Sequence, residues 1–269
     1  MTDARAIGVF DSGVGGLTVL RALRKALPHE NFIYLGDTAR LPYGTKSAFS
    51  VQRYAVQAAS YLSQHNIKLL ILACNTVTAD ALNTLHESFP NLPIIGVINP
   101  GAIAAIQAST KKRIGVISTR ATKKSGAYQR AIQQHAPEAE VFTYAAPLLV
   151  PLAEEGWLGG DLVTGIVQQY LQPVLTHDID CLVLGCTHYP AFLELFQQLV
   201  NKNIQLVDSA QTTATATVEH LRSTHTLNTA SQPGNVQFYS TDDPHQFAQT
   251  GSLFLGETIA LQTVILVDL

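Results

Sequence analysis

The stretch Leu182-Val183-Leu184-Gly185-Cys186-Thr187-His188-Tyr189-Pro190 is an apolar run that stops at a cysteine, with Thr, His and Tyr directly behind it. A short continuous run of this kind reads as a strand buried on both faces of a parallel sheet. Its C-terminal end then delivers polar groups to a crevice, where open α/β sheets bind ligands. The same device occurs once earlier, at Leu69-Leu70-Ile71-Leu72-Ala73-Cys74-Asn75-Thr76. Two strand ends that each present a cysteine organise the rest of the chain.

Outward from these stretches the sequence runs through one series of elements and then repeats it. The first series opens with a strand over 7–10, the loop Asp11-Ser12-Gly13-Val14-Gly15-Gly16, and helical spacing over 17–27, where Leu17, Leu20, Leu23 and Leu27 share a face. It continues with a strand over 31–35 and the Gly/Pro-punctuated loop Gly36-Asp37-Thr38-Ala39-Arg40-Leu41-Pro42-Tyr43-Gly44. A helix opened by Ser47 follows over 47–64, then a strand over 69–73, a helix over 77–88 and a strand over 93–97. Asn99-Pro100-Gly101 breaks the pattern. The second series has strands over 113–119, 140–144, 181–187 and 204–207, echoing 6–12, 31–35, 69–75 and 94–97. Arg113 stands 107 residues after Ala6 and Cys186 stands 112 after Cys74, offsets similar enough to mark an internal duplication. From about residue 208 a helix over 212–223, a strand over 236–240 and an apolar segment over 264–267 have no third copy to belong to. They are expected to pack back onto the first half. The expected fold is α/β, with two pseudo-symmetric doubly wound parallel-sheet domains, residues 1–98 plus 208–269 and residues 99–207, and the active site in the cleft between them.

Composition narrows the function. With 269 residues, 46% apolar and 14% charged, the chain is globular, and its net charge of −3 gives no footprint for nucleic acid. The short basic clusters Lys111-Lys112-Arg113 and Lys123-Lys124 read as solvated faces. No apolar run has the length of a membrane span and no signal-peptide pattern opens the chain. Three cysteines, an odd number, do not form a secreted disulfide framework, so a cytoplasmic location with reduced thiols is expected. The glycine loop after the first strand lacks dinucleotide spacing, because Asp11 and Ser12 occupy the turn where that motif opens with Gly-x-Gly, and a carboxylate there repels a pyrophosphate. No Cys-x-x-Cys or His-rich spacing indicates a metal, and no lysine sits at a strand end where a pyridoxal phosphate would attach.

A free cysteine is ordinarily a small buried hydrophobe, and Cys181, inside a strand, is read that way. Cys74 and Cys186 lie at strand-to-helix junctions, where a helix N-terminus is expected to lower a thiol's pKa. A symmetric pair of acid/base groups suits inversion at a carbon bearing an acidic hydrogen: one thiolate takes the proton from one face and the opposite thiol returns one to the other. His188, two residues beyond Cys186, is the natural proton partner of that cysteine. Asp11, at the first strand's end, is the candidate helper of Cys74, with an Asx turn or a helix N-cap as its ordinary alternative. Ser12, Asn75, Thr76 and Thr187 are small hydrogen-bonding groups at helix starts, suited to a carboxylate or to plain capping. Tyr43 and Gly44 sit on the long loop, placed to close over a ligand. A non-catalytic receptor for a small dicarboxylate is the alternative of a different class, though binding alone has no need of two thiols.

Five segments carry a resemblance: Phe10-Asp11-Ser12-Gly13-Val14-Gly15-Gly16-Leu17, the loop from Gly36 to Gly44, Ala73-Cys74-Asn75-Thr76, Val150-Pro151-Leu152-Ala153-Glu154-Glu155-Gly156-Trp157 and Leu184-Gly185-Cys186-Thr187-His188-Tyr189-Pro190. In order and content the chain, from about residue 7 to its end, resembles the glutamate racemase family. The resemblance implies a cofactor-independent interconversion of L- and D-glutamate that supplies D-glutamate for peptidoglycan, in a homodimer with no nucleic-acid or membrane partner. It further implies that Cys74 is the base for D-glutamate and Cys186 the base for L-glutamate, assisted by Asp11 and His188, with Glu154 an auxiliary acid near His188. The implied substrate contacts are Asp11-Ser12, Tyr43-Gly44, Asn75-Thr76 and Thr187-His188. Aspartate or hydantoin racemisation is the neighbouring alternative within the superfamily. Some members carry a longer N-terminal extension linked to activation by a peptidoglycan precursor. Here six residues precede the first strand, which departs from that pattern.

Overall fold

The structure, a computed structural model, describes residues 2–269. The first series folds as β1 (Ile7–Asp11), α1 (Leu17–Ala26), β2 (Phe32–Gly36), α2 (Ala48–Ser63), β3 (Leu69–Leu72), α3 (Asn75–Ser88) and β4 (Ile94–Gly96). Then come α4 (Ile98–Ala108), β5 (Arg113–Ser118), α5 (Arg120–Ser125), α6 (Ala127–His135), β6 (Glu140–Ala145), α7 (Leu149–Glu154), α8 (Asp161–Leu175), β7 (Cys181–Gly185), α9 (Leu193–Leu199) and β8 (Gln205–Asp208). The chain ends with α10 (Ser209–Ser223), β9 (Val236–Ser240), α11 (Pro244–Leu255) and β10 (Val264–Leu266).

The strands form two wholly parallel sheets, ordered β10-β9-β2-β1-β3-β4 and β6-β5-β7-β8. The run β2-β1-β3-β4 of the first sheet and the whole second sheet have the same order, so the duplication read in the sequence reappears as topology. In each copy the third strand pairs with the first: Phe10 lies opposite Leu72, and Ile117 opposite Leu184. All five residues of β1, β2 and β7 are buried, as a strand covered by helices on both faces demands. The tail joins the first sheet, since β9 pairs with β2 and β10 with β9. Ser47 caps α2 by accepting from the Ser50 N–H, at the predicted helix start.

One expectation is corrected. Asn99-Pro100-Gly101 does not break the pattern but lies in the first turn of α4. A proline there forfeits only an N–H that has no partner within the helix, so the helix starts through it.

Candidate active site

Parallel strands place all their C-terminal ends on one side, and the predicted residues collect there. Asp11 is the last residue of β1, Cys74 stands two residues beyond β3, and Cys186 follows β7 at once. Cys74, Cys186, Ser12 and His188 line a single cavity between the sheets. Asn75, Thr76 and Thr187 join them from the same strand ends, and Tyr43 and Gly44 form a wall from the long loop. Two predicted residues stand outside that lining. Asp11 is wholly buried behind it, and Glu154 lies in the wall of a neighbouring cavity.

The first half supplies Cys74 as the residue capping α3, in extended backbone. Its Sγ donates to Ser12 Oγ at 3.5 Å. The expectation that the helix N-terminus would lower this thiol's pKa is corrected: burial, with the nearby Asp11 carboxylate adding to it, pushes the thiol up to about 12. Loss of water outweighs the helix dipole where the sulfur is almost fully enclosed. Asp11, expected beside Cys74, accepts instead from the Gly13 N–H at 3.0 Å and from Thr187 Oγ1 at 3.5 Å. Burial raises its pKa, and the positive charge of His188 opposes that rise. Asp11 therefore acts on Cys74 through space, while Ser12 touches the sulfur.

The second half differs. Cys186 is not followed directly by a helix, since a 3-10 turn over Tyr189–Phe192 precedes α9. Its sulfur lies 3.8 Å from His188 Nδ1, and the other ring nitrogen, Nε2, lies 2.5 Å from Glu154 Oε1 at the end of α7. Burial alone lowers the imidazole's pKa, but the hydrogen bonds to Cys186 and Glu154 and the Glu154 charge outweigh it, so the pKa stands well above the usual 6.5. Tyr189, which the sequence left as turn-shaping, is fully buried and donates its hydroxyl to the Ala146 carbonyl at 2.8 Å.

The halves meet without slack. A Cβ on Gly15 would lie 2.6 Å from both His188 and Thr187, so the first glycine loop fits against the second site only without a side chain. A Cβ on Gly44 would likewise lie 2.6 Å from Thr119. Thr119, just beyond β5, lines the cavity and shares hydroxyl contacts with Thr76 (3.0 Å) and Thr122 (3.1 Å). It was not singled out from sequence, although the signal existed: Thr119 stands 107 residues after Ser12, the offset of the duplication. Tyr128 and Ser209 were also missed. They accept from Asn75 Nδ2 at 2.7 and 3.3 Å, which leaves the buried Asn75 Oδ1 without a protein partner. Nothing in the sequence pairs these three.

Cys181 is fully buried in β7, where burial pushes its thiol up to about 12, as befits a core side chain. Among the described residues no group of three or more His, Cys, Asp or Glu side chains is arranged to hold a metal ion, and no helix is long and apolar enough to cross a membrane.

Two thiols at matching strand ends in one cavity, one beside a hydroxyl and one beside a carboxylate-held imidazole, can exchange protons with a carbon lying between them. The profile of the Asp/Glu/Hydantoin racemase family matches residues 7–217. A glutamate racemase of Geobacter metallireducens is 47% identical over 252 residues, covering 94% of this chain and 93% of that one. The solved structure of a glutamate racemase isoform of Bacillus anthracis superposes with a TM-score of 0.95 at 36% identity, covering 99% of this chain and 98% of that one. A glutamate racemase of Francisella tularensis solved in complex with D-glutamate gives 0.92, also at 36% identity and with the same coverage. The chain belongs to the Asp/Glu/Hydantoin racemase family.

Proposed function

We propose that this enzyme interconverts L- and D-glutamate without a cofactor, by a two-thiol mechanism. In one direction the Cys74 thiolate removes the α-proton of D-glutamate while the Cys186 thiol delivers its own proton to the opposite face. The reverse direction exchanges the roles, so one proton is taken and one given in each turnover. Ser12 and Asp11 serve the Cys74 side. His188, oriented by Glu154 through its far nitrogen, serves the Cys186 side. Asn75-Thr76, Thr187-His188, Ser12 and Tyr43-Gly44 hold the substrate, with Thr119 added to that set. In this reading residues 1–98 with 208–269 form one lobe and 99–207 the other. The enzyme acts as a cytoplasmic homodimer and supplies D-glutamate for peptidoglycan.

The observation that carries the reading is the joint presence of Cys74 and Cys186 in one cavity, each at the end of the third strand of its copy. The glutamate named for the relatives supports the choice of substrate. Incubation in heavy water with L-glutamate, D-glutamate, aspartate and a hydantoin tests it. Glutamate is expected to gain deuterium at Cα with loss of optical rotation, and faster exchange on either other substrate overturns the assignment. Binding of glutamate without exchange would make the protein a receptor.

A further inference from the structure

The loop between β2 and α2 closes one side of the cavity; Thr38 and Ala39 tie its start to Ser240, Thr241 and Asp242, and the Asp37 carboxylate is the buried tie that reaches Tyr43. Asp37 is wholly buried. Its Oδ1 accepts from Thr241 Oγ1 at 2.8 Å, just beyond β9, and its Oδ2 lies 2.7 Å from Arg40 Nε. Oδ2 also accepts from the Tyr43 hydroxyl. Tyr43 is itself fully buried, edge-on to Phe10 with ring centroids 6.4 Å apart, and its ring forms part of the cavity wall. Arg40 is pinned in turn: Nη1 donates to Gln57 Oε1 at 2.7 Å, and the guanidinium lies over the Tyr54 ring, 4.4 Å from its centroid. Both partners come from α2. Arg40 Nη2 has no protein partner, so Asp37 is the group that balances this charge.

A carboxylate taken wholly out of water persists only where donors surround it, and removing one member of a buried ion pair strands the other. The pair is therefore a poor spring and a good latch: made it fixes one geometry, broken it favours release. Its position gives the latch something to hold. Gly44 follows Tyr43 and packs so closely on Thr119 of the second half that no Cβ would fit between them. A loop freed from Asp37 would lift Gly44 from Thr119 and uncover the two thiols, each now only 6% exposed.

We propose that Asp37 and Arg40 form a buried latch that keeps the Tyr43-Gly44 strap closed over Cys74 and Cys186, with Asp37 the positioning residue for the strap. Neither side chain lines the cavity, so the latch acts on substrate retention and on thiol access. Its meaning for catalysis rests on the proposed racemase reading, but its effect on thiol access does not.

The test uses the full chain and its three cysteines. Iodoacetamide labelling is followed by peptide mass mapping for Asp37→Asn, Arg40→Gln and the milder Thr241→Val, with KM and kcat for D-glutamate measured in parallel. Labelling of Cys74 and Cys186 is expected to accelerate severalfold in Asp37→Asn and Arg40→Gln and by less in Thr241→Val, while Cys181 in the core of β7 stays unlabelled. KM is expected to rise more than kcat falls. Wild-type labelling rates at Cys74 and Cys186 with Cys181 silent would overturn the latch. If Asp37→Asn exposes Cys181, that variant has unfolded, and the decision passes to Arg40→Gln and Thr241→Val, where wild-type rates in both overturn the proposal. Absence of α-proton exchange by the wild type would defeat the racemase reading and leave the labelling comparison standing.

Discussion

The two strand ends that carry the thiols share a backbone plan and differ in what stands on the sulfur. At Cys74 the contact is the Ser12 hydroxyl, brought from the loop after β1, with a buried carboxylate behind it. At Cys186 it is an imidazole two residues along the same segment, itself held by Glu154 from α7. The two copies thus share strand order and the place of the cysteine, but not the side chains that stand on the sulfur. The fold fixes the position of each sulfur and a few side chains fix its surroundings, as expected of a site grafted on a scaffold. On the first of these sulfurs burial acts hardest, pushing the Cys74 thiol up to about 12.

Replacing either sulfur should have the largest effect and should erase the difference between the halves. Cys74→Ser and Cys186→Ser are each expected to lose about 10²–10⁴-fold in turnover in both directions, because in the proposed mechanism every turnover uses both groups. Racemisation assays with circular dichroism check this, and full turnover by either variant breaks the two-thiol account. Glu154→Gln should instead expose the difference. It removes one charge-assisted hydrogen bond from His188, about 1.5–3 kcal/mol or roughly 10- to 100-fold in kcat/KM, with the greater loss of kcat when L-glutamate is the substrate. Equal losses of kcat in the two directions would place Glu154 outside the Cys186 apparatus; kcat/KM falls equally in both directions in any variant, because the enantiomers are equal in free energy.

The pH dependence of stability sharpens the contrast further. His188 has a native pKa raised above its unfolded value near 6.5, so its protonation stabilises the fold fully below that pH, and the contribution is lost as pH rises through the native value. Denaturant unfolding of wild type and His188→Asn should differ most below pH 6.5 and converge upward; a gap that widens with pH contradicts the assigned direction. The smallest expected effects concern the pair related by the duplication. Ser12→Ala and Thr119→Ala each remove one neutral hydrogen-bonding hydroxyl at the cavity, about 1 kcal/mol or roughly fivefold in kcat/KM. A loss confined to Ser12→Ala would mean that the copies do not share this contact.

Much of this was legible before any coordinates. Strand runs such as 69–72 and 181–185 carry no polar side chain because both faces are covered, and that pattern is local. The repeat predicted the shared sheet order, and motif spacing brought both cysteines and His188 to one place. Other features depend on contacts far apart in sequence. Tyr128 and Ser209 meet Asn75 across 53 and 134 residues, and Thr241 reaches Asp37 across 204. No local pattern encodes such contacts. The Cys74 pKa was misjudged because a sequence displays the helix that follows a thiol but not the water excluded around it. Pro100 was misread because a proline in a loop after a strand and a proline in the first turn of a helix look alike without the backbone.

The most direct measurement is a structure of the enzyme with glutamate bound. The account predicts the substrate Cα between the two sulfurs, with Cys74 Sγ and Cys186 Sγ each about 3–3.5 Å away on opposite faces. Both sulfurs on one face of that carbon, or either sulfur in a separate pocket, would contradict it.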